Sequence, residues 1–263
     1  MDLKLTGKRA LVCGGSSGLG RAVAAALVGE GAHVILLSRN ADTLKTVADE
    51  LTATGPGRAG FVAADLADHD ALLASVDEAE RQLGGSIEIL LNNTGGPPPS
   101  GVSGLDPSVW REHFESMVLS VFRLTDRVLP AMREAGWGRI LNVASITVVE
   151  PSAVLGVSNT LRASVAAWAK TLSNEVAADG VTVNTLLPGR IDTPRIERLD
   201  RAAAERTGVT PEQARAEAVR TIPAGRLGAT EEFGATAAFL ASPLGAYITG
   251  SLIRLDGGAI KAI

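Results

Sequence analysis

Arg9-Ala-Leu-Val-Cys13, then Gly14-Gly-Ser-Ser-Gly18-Leu-Gly20, then Arg21-Ala-Val-Ala-Ala-Ala-Leu-Val28 is the stretch that decides the fold. A short apolar run ending at Cys13 reads as a strand. A glycine cluster breaks it, and an alanine-rich segment through Glu30 has the composition of a helix. Strand, glycine turn and helix in that order form the opening of a dinucleotide-binding unit. Glycines allow a tight turn and let a pyrophosphate approach the backbone. The helix N-terminus adds unpaired N–H groups and the positive end of its dipole.

Outward from that turn, short apolar runs alternate with helical patterns almost to the end of the chain. The runs lie at Ala32–Ser38, Phe61–Ala64, Ile87–Leu91, Arg139–Ala144, Val181–Leu187 and Leu252–Leu255. With the first run this predicts about seven strands in a doubly wound parallel sheet, with helices on both faces. Gly55-Pro-Gly57 and Gly95–Gly101 read as loops rather than boundaries, so residues 1–263 form a single domain. Residues 190–222 are charged and helix-prone and lack a strand. They are expected to be a helical insertion over the sheet that serves as a substrate loop.

Composition narrows the function classes. The 263 residues are 46% hydrophobic and 21% charged, with a formal net charge of −4. No basic excess points to nucleic acid and no polybasic tail points to a membrane surface. Cys13 is the only cysteine, and His33, His69 and His113 are far apart, so neither a disulfide nor a metal site is expected. The stretch from Met1 has no apolar signal core and no run is long enough to span a bilayer, which leads to the expectation of a cytoplasmic protein.

The spacing Gly14-x-x-x-Gly18-x-Gly20 resembles the short-chain dehydrogenase/reductase family, and the similarity covers almost the whole chain. Asp65 matches that family's adenine-contacting aspartate. Asn92-Asn-Thr-Gly95 resembles its Asn-Asn-Ala-Gly turn, and Trp110 and Phe114 stand where its long fourth helix begins. Leu141-Asn-Val-Ala-Ser145 resembles its serine-bearing strand end. Pro188-Gly-Arg-Ile-Asp-Thr193 matches its nicotinamide-contacting turn, while Ile248-Thr-Gly and Asp256-Gly-Gly resemble its C-terminal region. The resemblance implies a Rossmann-type fold and a cofactor site made by Gly14, Ser16, Ser17, Gly18, Leu19, Gly20, Ser38, Arg39, Asp65, Leu66, Asn93, Thr94, Gly95, Arg162, Pro188, Gly189, Ile191 and Thr193. It also implies a homotetramer or homodimer, joined in part through the small-residue stretch Ala163–Ala169.

The end of the second strand selects the dinucleotide. An acidic residue there accepts bonds from the ribose 2′-OH and repels a 2′-phosphate. Ser38-Arg39 stands there instead. Serine removes the repulsion and a guanidinium holds phosphate through paired, charge-assisted bonds. NADP(H) is therefore expected in preference to NAD(H).

The family's catalytic set is an asparagine, a serine, a tyrosine and a lysine, and here only the serine is present, as Ser145. The tyrosine's place, counted from Ser145, falls on Ser158. The lysine's place, four residues further, falls on Arg162, and the asparagine's on Met117. Tyr247, near the C-terminus, is the only tyrosine, so no shift of the alignment restores the pair. An aliphatic hydroxyl is a far weaker acid than a phenol of pKa near 10, and a guanidinium stays protonated. Ser158 and Arg162 share a helix face. Met117 falls on an apolar stripe with Trp110, Phe114, Val121 and Val128 and reads as core. Glu150 and His113 are replacement acids to weigh, and Pro97-Pro-Pro99 stiffens a loop beside the crevice.

Together these features predict an NADP(H)-dependent oxidoreductase acting on a small carbonyl or alcohol, 3-oxoacyl-like in the nearest resemblance. Ser145, Ser158 and Arg162 are its candidate catalytic residues. Two alternatives stay open: an NADP(H)-binding protein impaired in catalysis, with a sensor or assembly role, and a lyase or isomerase using the same site.

Overall fold

The computed structural model describes residues 1–262. Seven strands pair in parallel in one sheet: β1 (Arg9–Cys13), β2 (His33–Ser38), β3 (Arg58–Ala63), β4 (Ile89–Asn92), β5 (Gly138–Val143), β6 (Val181–Pro188) and β7 (Leu252–Leu255). Their spatial order is β3-β2-β1-β4-β5-β6-β7. The chain therefore leaves β3 at one edge and returns on the other side of β1, at β4. That reversal opens a crevice at the carboxyl ends of β1 and β4, where open α/β sheets bind ligands.

Alternation along the strands builds two cores. Ala10 and Val12, Val34 and Leu36, Ile89 and Leu91 point to one face. There they meet α1 (Gly18–Gly29), α2 (Ala41–Thr54) and α9 (Thr230–Ala241) through Leu27, Leu44 and Phe233. Leu11 and Cys13, Ile35 and Leu37, and Leu90 point to the other face. That face is covered by α3 (His69–Leu83), α5 (Ser120–Glu134) and α6 (Gly156–Val176) through Val76, Val128 and Leu172. Burial on both faces is why the central strands read as continuous apolar runs rather than alternating ones.

The edges differ from the expected boundaries. β3 begins at Arg58, ahead of the apolar run that starts at Phe61, because its register pairs Arg58 with His33. An edge strand is half-exposed, so Arg58-Ala-Gly carries little apolar signal. β4 begins at Ile89 rather than Ile87, and Asn92 is its last residue.

The expected stripe through Phe114 is also corrected. Between α4 (Pro107–Phe114) and α5 lies a π-helical turn, Glu115–Leu119. A π turn holds an extra residue, so side chains before it rotate away from the line counted after it. Phe114 is accordingly 39% exposed, while Met117 is 4% exposed. Met117 packs with Val118 and Val121 against Val157, Leu161 and Val165 of α6. Burying a methionine side chain there stabilises the fold by roughly 1.5–3 kcal/mol.

Beyond β6 the charged segment forms α7 (Pro194–Thr207) and α8 (Pro211–Arg220). Thr193 caps α7, and Thr210 forms a capping box with Gln213 on α8. An ion pair of Arg190 with the buried Asp200 fastens α7 to the chain leaving β6, and Arg215 of α8 pairs with Asp192.

Candidate active site

The β1–α1 turn fits its glycines to hard steric limits. Gly14 has φ +64°, and a Cβ there would stand 2.5 Å from the Asn93 Nδ2. A Cβ on Gly20 would lie 2.2 Å from the Gly14 carbonyl oxygen, so only glycine lets α1 close against the turn. Gly18, at φ +54°, opens the helix, and its Cα side faces the Thr193 methyl. Ser16 is half-buried and Ser17 exposed, with Leu19 half-buried behind them. Ser17 is the N-cap, yet its side chain makes no capping bond. The first N–H groups of α1 thus remain available to an anion.

The ends of four further strands carry the other candidate cofactor residues. Ser38 ends β2 half-buried and Arg39 is exposed, with no carboxylate partner among the described residues. The Ala64 N–H donates to the Ser38 carbonyl at 3.0 Å, which sets Asp65 beside that strand end. Asp65 is exposed and accepts from the Ala67 N–H at 3.0 Å, with Leu66 half-buried next to it. From β4, Asn93 donates through Nδ2 to the Cys13 carbonyl at 3.2 Å and ties the two turns together. The Thr94 hydroxyl donates to the Gly95 carbonyl. At the end of β6, Pro188 leads to Gly189, whose N–H donates to Leu255; a Cβ there would meet Asp256 at 2.8 Å. Ile191 is buried, and Thr193 accepts from the Ile196 N–H as the cap of α7. Arg39 stands apart: it touches none of the other candidate residues through a hydrogen bond or ion pair.

The candidate catalytic residues divide into two groups. Ser145 follows β5 and caps the short helical turn Ile146–Val148. Its Oγ accepts from the Thr147 N–H at 3.2 Å and from the Thr147 hydroxyl at 3.0 Å. With both lone pairs occupied, its own O–H is the group left to donate. Ser158 is 5% exposed, on the first turn of α6. It accepts from the Arg162 Nε at 3.3 Å. Arg162 also donates to the Val143 carbonyl at 2.9 Å and the Gly95 carbonyl at 3.1 Å, bridging the ends of β5 and β4. Ser145 makes no hydrogen bond with Ser158 or Arg162.

Burial, reinforced by the nearby Arg195 charge, lowers Arg162 to about 10, still protonated at neutral pH. Cys13 offers no nucleophile, because burial pushes its thiol up to about 12. Glu150 is exposed, and neither it nor His113 makes a hydrogen bond with Ser145, Ser158 or Arg162. No cluster of metal-ligating side chains exists among the described residues, and none of their helices is long and apolar enough to cross a membrane.

Two residues at the site escaped the sequence reading. Thr147 supports Ser145, and nothing in a lone threonine announces that. Arg195 lies in the first turn of α7 and donates to the Gly96 carbonyl at 3.3 Å and the Pro97 carbonyl at 3.2 Å. A cation in a first turn opposes the helix dipole, and that mismatch was a usable signal. The proline loop is held from its other end as well: the Ser100 N–H donates to Val154, and the Gly156 N–H donates to Ser100.

Comparison with known proteins agrees with this architecture. Residues 8–204 match the family model described as short chain dehydrogenase. Over 256 residues the chain is 34% identical to a 3-oxoacyl-(acyl-carrier-protein) reductase of Salmonella typhimurium, covering 97% of this chain and 98% of that one. It is 33% identical over 257 residues to a D-beta-hydroxybutyrate dehydrogenase of Cupriavidus necator, with the same coverage. The L-sorbose reductase of Gluconobacter frateurii, solved with NADPH and L-sorbose, superposes with a TM-score of 0.93 at 31% identity, with both chains fully covered. A family match over most of the chain, and relatives this similar along nearly all of it, place the protein in the short chain dehydrogenase family.

Proposed function

We propose that this protein is an NADP(H)-dependent oxidoreductase acting on a small carbonyl or alcohol, with Ser158 and Arg162 where the family's tyrosine and lysine are expected. The observation that carries the reading is the β1–α1 turn. Gly14 and Gly20 leave no room for a Cβ, the α1 N-terminus lacks a side-chain cap, and Thr193 closes from the opposite side. That cradle suits a pyrophosphate. Arg39, exposed beside Ser38 and without an acidic partner among the described residues, suits a 2′-phosphate. The NADPH held by the sorbose reductase supports the same choice.

The dinucleotide supplies the hydride when bound. The chain's own residues polarise and orient. Ser145 donates its O–H to the substrate oxygen, held by the two bonds from Thr147. Arg162 fixes the strand ends at Val143 and Gly95 and supplies positive potential, but gives up no proton near neutral pH. Water must then deliver the proton, so turnover of unactivated ketones is slow. The lack of an acid–base pair also favours a second reading, a cofactor-binding protein with no turnover.

Calorimetric titration with NADPH and NADH, followed by a panel of carbonyl compounds, tests the assignment. NADPH is expected to bind more tightly, and at least one compound to be reduced. Absence of NADPH binding defeats both readings, while binding without any turnover leaves only the second.

A further inference from the structure

Arg162 and Arg195 approach each other across the Gly95–Pro97 backbone. A Cβ on Gly96 would lie 3.0 Å from the Arg195 NH2 group and 3.5 Å from that of Arg162. Neither guanidinium forms an ion pair with any described carboxylate, although Arg127, Arg190, Arg215 and Arg226 all do. Their protein partners are the Ser158 hydroxyl and the carbonyls of Val143, Gly95, Gly96 and Pro97, which are all neutral. Of five N–H groups on each guanidinium, Arg162 keeps two and Arg195 three that no acceptor among the described residues takes.

We propose that Arg162 and Arg195 form a seat for an oxyanion carried by the substrate, which makes the substrate a carbonyl or alcohol compound bearing a carboxylate or a phosphate. This inference rests on the oxidoreductase reading. Two half-buried like charges beside each other raise the free energy of the site, and an anion between them lowers it. Burial depresses both guanidiniums from their ordinary value, and each also feels a neighbouring arginine, Arg195 for Arg162 and Arg198 for Arg195. Arg195 lies in the first turn of the 14-residue α7, where the dipole already favours an anion. Glu197, the one acid of that turn, is exposed and pairs with neither arginine.

Position separates this seat from that of the pyrophosphate. The pyrophosphate cradle lies at Gly14–Gly20, against Thr193. Arg195 reaches away from Thr193 to Gly96 and Pro97, and that loop leads to the Ser100–Leu155 bridge in front of α6. Arg162, the other half of the seat, is bonded to Ser158 on α6 rather than to the β1–α1 turn. A planar fork of donors suits bidentate carboxylate or phosphate recognition.

Thermal unfolding of the whole chain tests the seat with two matched pairs, acetoacetate against methyl acetoacetate and dihydroxyacetone phosphate against dihydroxyacetone. Each pair is run with saturating NADPH and without cofactor. At least one charged member is expected to raise the melting temperature at concentrations where its neutral partner does not. Arg195→Ala should raise the concentration required by about 10- to 100-fold, as charge-assisted bonds are lost. Arg195→Gln, which keeps donors for Gly96 and Pro97 but no charge, should behave similarly, and NADPH affinity should be unchanged in both variants. Equal responses to the charged and neutral members of both pairs, or no response to any, overturn the proposal. So does a loss of NADPH affinity matching the loss of anion binding, which would assign the pair to the cofactor. Should NADPH fail to bind the unsubstituted chain, the oxidoreductase reading falls alone. The cofactor-free arm then decides: stabilisation by the charged probes that Arg195→Ala removes sustains the seat, and its absence overturns it.

Discussion

The β1–α1 turn and the first two turns of α6 both reach the loop of residues 93–96, yet they are built from different materials. Asn93 connects the loop to Cys13 on one side, and Arg162 connects it through Gly95 to α6 on the other. The first wall works through backbone: its requirement is the absence of side chains at Gly14 and Gly20. The second works through side chains, and their identities set the chemistry. A wall of the first kind tolerates almost no change. One of the second kind could exchange its reactive groups with the fold intact, which is how the proposed reading takes Ser158, Arg162 and the buried Met117. On that reading, binding and chemistry can be tested separately.

The largest effect should come from rebuilding the second wall. Met117→Asn, Ser158→Tyr and Arg162→Lys together would restore a phenol, a cation that lowers its pKa, and an amide in the π turn. Positioned acid–base groups contribute on the order of 10²–10⁴-fold, and a gain of that size in NADPH-dependent reduction of a generic ketone is expected. Met117→Asn buries an amide among Val157, Leu161 and Val165, so some loss of stability accompanies it. A folded triple variant that binds NADPH but gains nothing would break the comparison, by placing the limit in the substrate loop.

Breaking the first wall should cost nearly as much in the opposite sense. Gly14→Val puts a branched side chain at φ +64° and against Asn93. The turn must then open, and NADPH affinity should fall by on the order of 100-fold in calorimetry, since strain and overpacking of this kind amount to a few kcal/mol. Undiminished affinity in a folded variant would remove the cofactor from this turn. Next comes Arg39→Ala. It leaves the cradle untouched and removes one charged phosphate partner, so NADPH affinity should drop about tenfold with NADH affinity unaffected. Equal losses for both cofactors would show that Arg39 does not read the 2′-phosphate.

The same contrast governs how much the sequence discloses. Gly14-x-x-x-Gly18-x-Gly20 is legible because steric necessity leaves a fixed spacing, and the central strands are legible because burial on both faces makes them uniformly apolar. β3 is less legible, because an edge strand is only half-covered, and Arg58-Ala-Gly has no apolar pattern to betray it. The rotation of Phe114 out of its stripe depends on the π turn at Glu115–Leu119, and no periodicity counted from residue types contains that extra residue. Ser145, Ser158 and Arg162 are locatable by counting. Their partners are not: Thr147 donates to a serine two residues away, and Arg195 reaches a loop nearly a hundred positions earlier in the chain. Contacts of that second sort arise only once the strand ends have been gathered at one edge of the sheet.

The smallest effect, and the finest division of the second wall, concerns Ser158 alone. Its Oγ sits 3.3 Å from the Arg162 Nε, a long bond, and Arg162 keeps its shorter bonds to Val143 and Gly95 without it. Ser158→Ala removes one weak acceptor from a guanidinium that remains anchored at two other points. Any slow reductase activity should therefore change by only about two- to threefold, well below what a positioned acid or base contributes. Ser145→Ala should do far more. Thr147 donates twice to the Ser145 Oγ, which leaves its O–H to donate to the substrate oxygen on the proposed reading, and removing such a donor costs about 10²–10³-fold. Steady-state rates of the two variants, at saturating NADPH and with folding checked by circular dichroism, give the ranking. A larger loss at Ser158 than at Ser145 would mean that the Ser158 hydroxyl, polarised by Arg162, handles the proton after all. The second wall would then be a rewritten catalytic pair rather than a silenced one.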